Sequence, residues 1–303
     1  MFAALFPGQG SQKLGMGREL YQGSAAAREV LDRAEATLPG LLEIIWEGPE
    51  ETLQLTENQQ PALLAVSAAA WAAWREAGGG EPRLAAGHSL GEWSAHVAAG
   101  TLALEDALAL VRKRGRYMQE AVPAGEGAMA AVLKLPPEQV FRVVEEIAGV
   151  EVANLNSPGQ VVISGRRESV DAAAARFKEL RGRVIPLKVS APFHSSLMRP
   201  AREKLAADLA GVKLSPPRFP VYSNVTAAPE TDPERIRELL LEQITSPVRW
   251  VEILEDMAAA GLRNFYEFGS GDVLCGLVRR TLEDARAVAL QTPDDIKSAL
   301  EES

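Results

Sequence analysis

The chain has 303 residues, 47% of them hydrophobic and 24% charged, an ordinary globular balance that excludes an intrinsically disordered chain. Asp and Glu number 41 against 32 Lys and Arg, and the resulting net charge of -9 argues against a nucleic-acid or anionic-membrane partner. The single cysteine, Cys275, excludes an internal disulfide, and the three histidines (His88, His96, His194) are not set at metal-ligand spacing. A reducing, cytoplasmic setting is expected, with no metal or redox cofactor.

The opening MFAALFPGQG has no basic segment and too short an apolar run for a signal peptide, so no secretory leader is expected. Ala3–Phe6 reads as a short buried strand running into a glycine turn, Pro7-Gly8-Gln9-Gly10. Helices are expected over 24–38 and 61–76. The second contains the longest apolar stretch, 61–74, which is too short to span a bilayer and reads as a buried helix. A strand is expected at 83–86, then GHSLG at 87–91, an alanine-rich helix to about Ala99, and another from Leu104 to Ala121. This alternation of strand, turn and helix predicts a parallel α/β sheet.

The rhythm changes after Gly127. Strands are expected at 128–135, 150–155, 160–164 and 183–189, with helices at 137–148 and 168–180. The order β-α-β-β-α-β is that of a ferredoxin-like unit. Helices are expected from there to the C-terminus, interrupted by one strand at Asn264–Phe268 that ends in Gly269-Ser270-Gly271. The chain thus divides into a main domain, 1–124 and 192–303, split by a small insert at 125–191.

GHSLG matches G-x-S-x-G, and with a strand before it and a helix after it the pattern is that of a nucleophile elbow. Glycines relieve the crowding at the sharp turn. Ser89 is left at a helix N-terminus, whose partial positive charge favours a developing anion. A serine nucleophile needs a base within reach. His88 adjoins Ser89, and neighbouring side chains on a sharp turn diverge. His96 lies two helical turns on, roughly 10 Å along the axis. His194 remains, in the loop 190–196 (SAPFHSS) at the junction of the two domains. No acidic residue stands out as a third member; Asp272 is a candidate.

Beyond this, the chain opens with FPGQGSQ, and NQQPALL (58–64), AGHSLGEWSAH (86–96), RGRYMQEAVP (114–123), GAMAAVL (127–133), NSPGQVVISG (156–165) and the loop around His194 follow in order. In these motifs the chain resembles the malonyl-CoA:acyl carrier protein transacylase family of fatty acid synthesis. The resemblance implies an α/β-hydrolase-like main domain, with the site in the cleft beside the ferredoxin-like insert. It implies a ping-pong reaction in which Ser89, with His194 as base, takes malonyl from malonyl-CoA and passes it to the phosphopantetheine thiol of acyl carrier protein. It places the oxyanion hole on the backbone N–H groups of Gln9 and Leu90, the malonate carboxylate on Arg114, and Gln60 in the acyl pocket. Arginine suits that task because its guanidinium matches a carboxylate with two N–H donors. A helical projection of 104–118 independently sets Arg114 at the edge of the apolar face, whereas Lys113, Arg116 and Arg112 point elsewhere. Phe193, just before the base, accords with malonyl in related domains. The family orients its histidine with a backbone carbonyl at a glutamine placed here before a tryptophan; this sequence has Arg249-Trp250, so the carbonyl is assigned to Arg249. Lys188, Arg199 and Arg249 are candidates for a basic patch that meets an acidic carrier protein. The alternatives are a serine thioesterase or other hydrolase, a trans-acting polyketide acyltransferase, and a non-catalytic docking module.

Overall fold

Ala3–Phe6 is apolar throughout and buried on both faces, the pattern of a strand inside a parallel sheet. The computed structural model describes residues 1–189 and 191–302, so Ser190 of the loop before His194 lies outside the described residues. Among the described residues the strands are β1 (Ala3–Phe6), β2 (Leu84–Gly87), β3 (Gly127–Leu133), β4 (Val150–Ser157), β5 (Gln160–Arg166), β6 (Arg183–Pro186), β7 (Val221–Tyr222), β8 (Pro229–Glu230), β9 (Asn264–Phe268) and β10 (Arg286–Leu290).

They form two sheets. The larger has the order β10-β9-β1-β2-β7-β8 and is parallel except for β8, which runs antiparallel to β7. Successive side chains of β1 serve opposite faces. Phe2, Ala4 and Phe6 join a core with Trp74, Trp93 and Phe268, beneath the helices Thr56–Glu76, Leu90–Ala99 and Leu104–Glu120. Ala3 and Leu5 join another with Trp250, Ile253 and Leu277, from the helices Trp250–Ala259 and Val273–Thr281. The smaller sheet is antiparallel, ordered β4-β5-β3-β6, and encloses a core of its own around Val132, Val140, Ile163 and Phe177. Val248, outside the strands of either sheet, bridges to β4: its N–H donates to Ala153 O (2.8 Å) and its carbonyl accepts from Leu155 N–H (2.9 Å). Among the described residues no helix is long and apolar enough to cross a membrane.

The mixed α/β architecture matches expectation, and β1 and β9 stand at the expected residues. The expected all-helical run with a single strand after the insert is incorrect. It also holds β7 and β8, of two residues each, and β10, a mostly half-buried edge strand paired only with β9. The helix expected from Pro61 starts at Thr56 and carries Pro61 in its interior. Its first turns are kept by burial of Asn58, Gln59 and Gln60, and Gln59 accepts a hydrogen bond from the Gln9 side chain. The last strand of the insert ends at Pro186 rather than Val189. Leu187 N–H still reaches Met129 O (2.9 Å), but Val189 N–H turns back onto Leu187 O (3.0 Å), which ends the ladder.

The elbow is packed backbone on backbone. A Cβ at Gly87 would lie 1.8 Å from the Gly91 carbonyl carbon, and one at Gly91 would lie 2.0 Å from Phe6 O. A Cβ at Gly8 would meet His88 O at 2.3 Å, so the first turn lies directly against the elbow. Gly91→Ala is expected to cost about 3 kcal/mol or more, because neither neighbour is a side chain that could swing aside. Urea denaturation of the variant checks this.

Candidate active site

Ser89 sits between the end of β2 and the helix Leu90–Ala99, at φ 52 and ψ -105, a conformation costly for any residue with a Cβ. Asn224 holds it there: Ser89 N–H donates to Asn224 Oδ1 (2.7 Å), and Asn224 Nδ2 donates to Gly87 O (2.8 Å). His194 is 4% exposed, and its Nε2 lies 2.8 Å from Ser89 Oγ. Its Nδ1 lies 2.9 Å from Gln243 O and 3.2 Å from Ser246 O. Two carbonyls require Nδ1 to carry the proton, so Nε2 is a free acceptor and the Ser89 hydroxyl donates to it. Burial, reinforced by the positive charge of Arg114, pushes His194 down to about 3. The imidazole is therefore neutral, and able to take a proton, at neutral pH.

Two expectations are corrected at this point. Asp272 plays no part beside His194, since its side chain is 73% exposed and lies 4.0 Å from Arg279. The Arg249 carbonyl is not what orients His194; it accepts from Ile253 N–H (3.1 Å) inside a helix. Gln243 and Ser246 supply the carbonyls instead. A glutamine carbonyl does face His194, but it is that of Gln243, six residues before Arg249. The Arg249 side chain pairs with Glu252 (2.8 Å from Nε) and donates to Val225 O (3.2 Å).

Arg114 is fully buried on the helix Leu104–Glu120. Its Nη1 donates to Gln60 Oε1 (2.8 Å), and its Nη2 donates to Gln243 Oε1 (2.9 Å) and to Ser89 Oγ (3.2 Å). All three acceptors are neutral, and no carboxylate forms an ion pair with it among the described residues. Its Nε, also buried, has no partner there. Burial lowers Arg114 to about 10, with Glu92 opposing the shift, so it keeps its charge at neutral pH. Its hydrogen-bond partners are all neutral oxygens and Glu92 acts on it only across Gln243, which leaves the guanidinium without a carboxylate in direct contact.

The remaining expected residues gather around this centre, with one exception. Gln60 is fully buried against Arg114, and its Nε2 lies 3.3 Å from Gln9 Oε1. The backbone N–H groups of Gln9 and Leu90 have no acceptor among the described residues. Phe193 is buried in the main core next to His194. Arg249 stands apart, tied to Glu252. Of the other histidines, His88 Nε2 meets Asn156 Oδ1 on β4 at 2.8 Å, and buried His96 Nδ1 lies 3.4 Å from Thr101 Oγ1.

Three residues that sequence reasoning missed complete the cluster: Asn224, Gln243 and Glu92. Glu92 lies in the same motif as Ser89, one helical turn on. Its Oε2 accepts from Asn224 N–H (3.0 Å) and from Gln243 Nε2 (2.6 Å). Burial pushes its carboxyl up to about 7, against the pull of those two donors and of Arg114. Its place beside Ser89 in the GHSLGE run was the one sequence signal, since a carboxylate in the first turn of a helix is otherwise ordinary.

Residues 4–298 match the model of the acyl transferase domain. The malonyl CoA-acyl carrier protein transacylase of Bacillus subtilis (strain 168) is 47% identical over 305 residues, covering 99% of this chain and 96% of that protein. The solved structure of the malonyl CoA-acyl carrier protein transacylase from Coxiella burnetii superposes with a TM-score of 0.97 at 40% identity, covering 99% of this chain and 96% of that one. A malonyl-transacylase solved in complex with a type II polyketide acyl-carrier protein gives a TM-score of 0.97 at 43% identity, covering 100% of this chain and 99% of that one. The chain belongs to the acyl transferase domain family and, within it, to the malonyl CoA-acyl carrier protein transacylases.

Proposed function

We propose that this protein transfers the malonyl group of malonyl-CoA to the phosphopantetheine thiol of acyl carrier protein through an ester on Ser89. The observation that carries this is Arg114, a buried cation with no carboxylate in hydrogen-bond contact, which donates to the same Ser89 oxygen hydrogen-bonded to His194. Ser89 Oγ attacks the thioester carbonyl, and His194 Nε2 takes its proton. The tetrahedral intermediate collapses, the C–S bond breaks, and the proton passes to the sulfur of CoA. The carrier thiol then attacks the ester, gives its proton to His194, and Ser89 recovers it as it leaves. The oxyanion formed in each half-reaction is received by the free N–H groups of Leu90 and Gln9; a single such donor is typically worth about 10²–10³ in rate. Arg114 holds the malonyl carboxylate, with Gln60 beside it, and Phe193 walls the pocket.

The split main domain, 1–124 and 192–303, is α/β-hydrolase-like in its elbow between a parallel strand and a helix. The insert, 125–191, is ferredoxin-like in its β-α-β-β-α-β order and its antiparallel β4-β5-β3-β6 sheet. The cytoplasm is the compartment that a CoA-dependent enzyme with one free, buried cysteine suits. Lys188 and Arg199, both exposed and without an ion pair among the described residues, are the docking candidates for an acidic carrier; Arg249, paired with Glu252, is not.

Intact-protein mass spectrometry tests the reading. Malonyl-CoA is expected to add one malonyl group, and acyl carrier protein to discharge it. Free malonate appearing in place of malonyl-carrier would make the protein a hydrolase. A polyketide carrier is the second reading, favoured by the similarity to the transacylase solved with one. Comparing discharge rates with carriers of both kinds separates the two.

A further inference from the structure

The transfer above gives Glu92 no task, yet it is fully buried at the centre of the cluster. Gln243 stands between Glu92 and Arg114. Its amide nitrogen donates to Glu92 Oε2 (2.6 Å) and to Ser89 O (3.0 Å), while its amide oxygen accepts from Arg114 Nη2 (2.9 Å). A cation and an anion thus occupy the two ends of one hydrogen-bonded chain. The other ionisable groups nearby are His194 in its loop, His88 in the elbow and His96 a turn along the same helix, and burial lowers all three so that they stay uncharged.

Charge counting then has a consequence. When Glu92 is ionised, its charge balances that of Arg114. A malonyl carboxylate on Arg114 adds a negative charge in a desolvated place, and two carboxylates sharing one guanidinium disfavour each other. Glu92 is built to relieve this. Its Oε2 already accepts two hydrogen bonds, whereas its Oε1 is buried without a donor among the described residues. A proton on Oε1 neutralises the carboxyl and breaks neither bond.

We infer that Glu92 governs the affinity of the site for an acidic acyl group, taking up a proton from solvent when malonyl occupies Arg114 and releasing it when malonyl leaves. The inference rests on Arg114 as the partner of the malonyl carboxylate. Proton and malonyl are then reciprocally coupled ligands: protonating Glu92 favours malonyl by the same factor by which malonyl favours the proton. Burial already brings Glu92 to about 7, so the exchange falls in the physiological range.

The test counts protons during stoichiometric malonylation of the wild-type enzyme at pH 7.5 in weak buffer with an indicator dye. The ionisation of the released CoA thiol, measured separately in the same buffer, is subtracted. About half to one proton taken up per ester is expected. In the wild type, kcat/KM for malonyl-CoA is expected to fall about fivefold or more between pH 6 and 8.5. Glu92→Gln keeps an oxygen for Asn224 and Gln243 but has no site for the proton. In that variant uptake should vanish, and the profile should stay at its acid-side value. No uptake in the wild type, or an unchanged pH slope in Glu92→Gln, overturns the inference. If the variant fails to fold, the wild-type proton count decides alone. Absence of a malonyl ester by intact mass would instead defeat the reading of Ser89 and Arg114 beneath it.

Discussion

Alanine at Ser89 is expected to leave no acyl-enzyme, and alanine at His194 to slow acylation by malonyl-CoA by about 10²–10⁴-fold. Rapid-quench acylation followed by intact mass measures both. The geometry supports losses without unfolding. Removing Ser89 Oγ leaves Arg114 Nη2 its bond to Gln243, and the elbow is held by Asn224 through backbone atoms. His194 also makes a pH prediction. A serine base works as the free imidazole, and ordinary histidine would lose activity as pH falls through roughly 6.5. Here burial and Arg114 hold it at about 3, so the base is already free at every pH above about 5. The acylation profile of Glu92→Gln, which lacks the carboxyl titration, is expected to be flat from about pH 5 to 8. A limb near 6.5 would show that His194 is not held as its surroundings require.

Arg114→Ala is expected to lower kcat/KM for malonyl-CoA by about 2–5 kcal/mol, or roughly 30- to 5,000-fold. Acetyl-CoA, which lacks the carboxylate, should suffer far less. The comparison within one variant matters, because the truncation also strips partners from Gln60, Gln243 and Ser89 and leaves Glu92 without its counter-charge. Damage through those neighbours would strike both donors alike. Arg114→Lys should rescue poorly, since a single ammonium cannot hold Gln60, Gln243 and a carboxylate in one plane. Equal losses for malonyl and acetyl donors would remove Arg114 from recognition and leave it a support for Ser89.

Much of the catalytic centre was legible because sterics and elimination leave few choices. GHSLG demands a strand before and a helix after it, and both are there. With three histidines in the chain, only His194 had a loop that could bring it to Ser89. Arg114 broke the amphipathic pattern of its helix and is buried as that break implies. What stayed hidden acts through the backbone or reads as ordinary. The carbonyls of Gln243 and Ser246 orient His194, and a carbonyl belongs to every residue, so no motif marks it; hence the misplacement onto Arg249. Glu92 occupies the first turn of a helix, where a carboxylate is unremarkable on dipole grounds. Its burial depends on Asn224 and Gln243, which arrive from distant parts of the chain. In the fold, β7 and β8 are too short to carry a period, and β10 is half-exposed on an edge, where its alternation is weak.

The placement of β1 in the larger sheet bears on how the protein is made. β1 lies between β2 and β9, and its partner residues on β9 are Phe265, Tyr266 and Glu267. On a ribosome, β2 emerges early and β9 only after residues 88–263, the insert among them, have been synthesised. Until then β1 has one bare edge, flanked by apolar residues, in an incompletely covered sheet. Such edges pair readily with other chains. Contacts this distant in sequence also form slowly. The nascent chain therefore has a long interval in which its central strand needs shielding, and a chaperone that binds short apolar extended segments would find its site at FAALF.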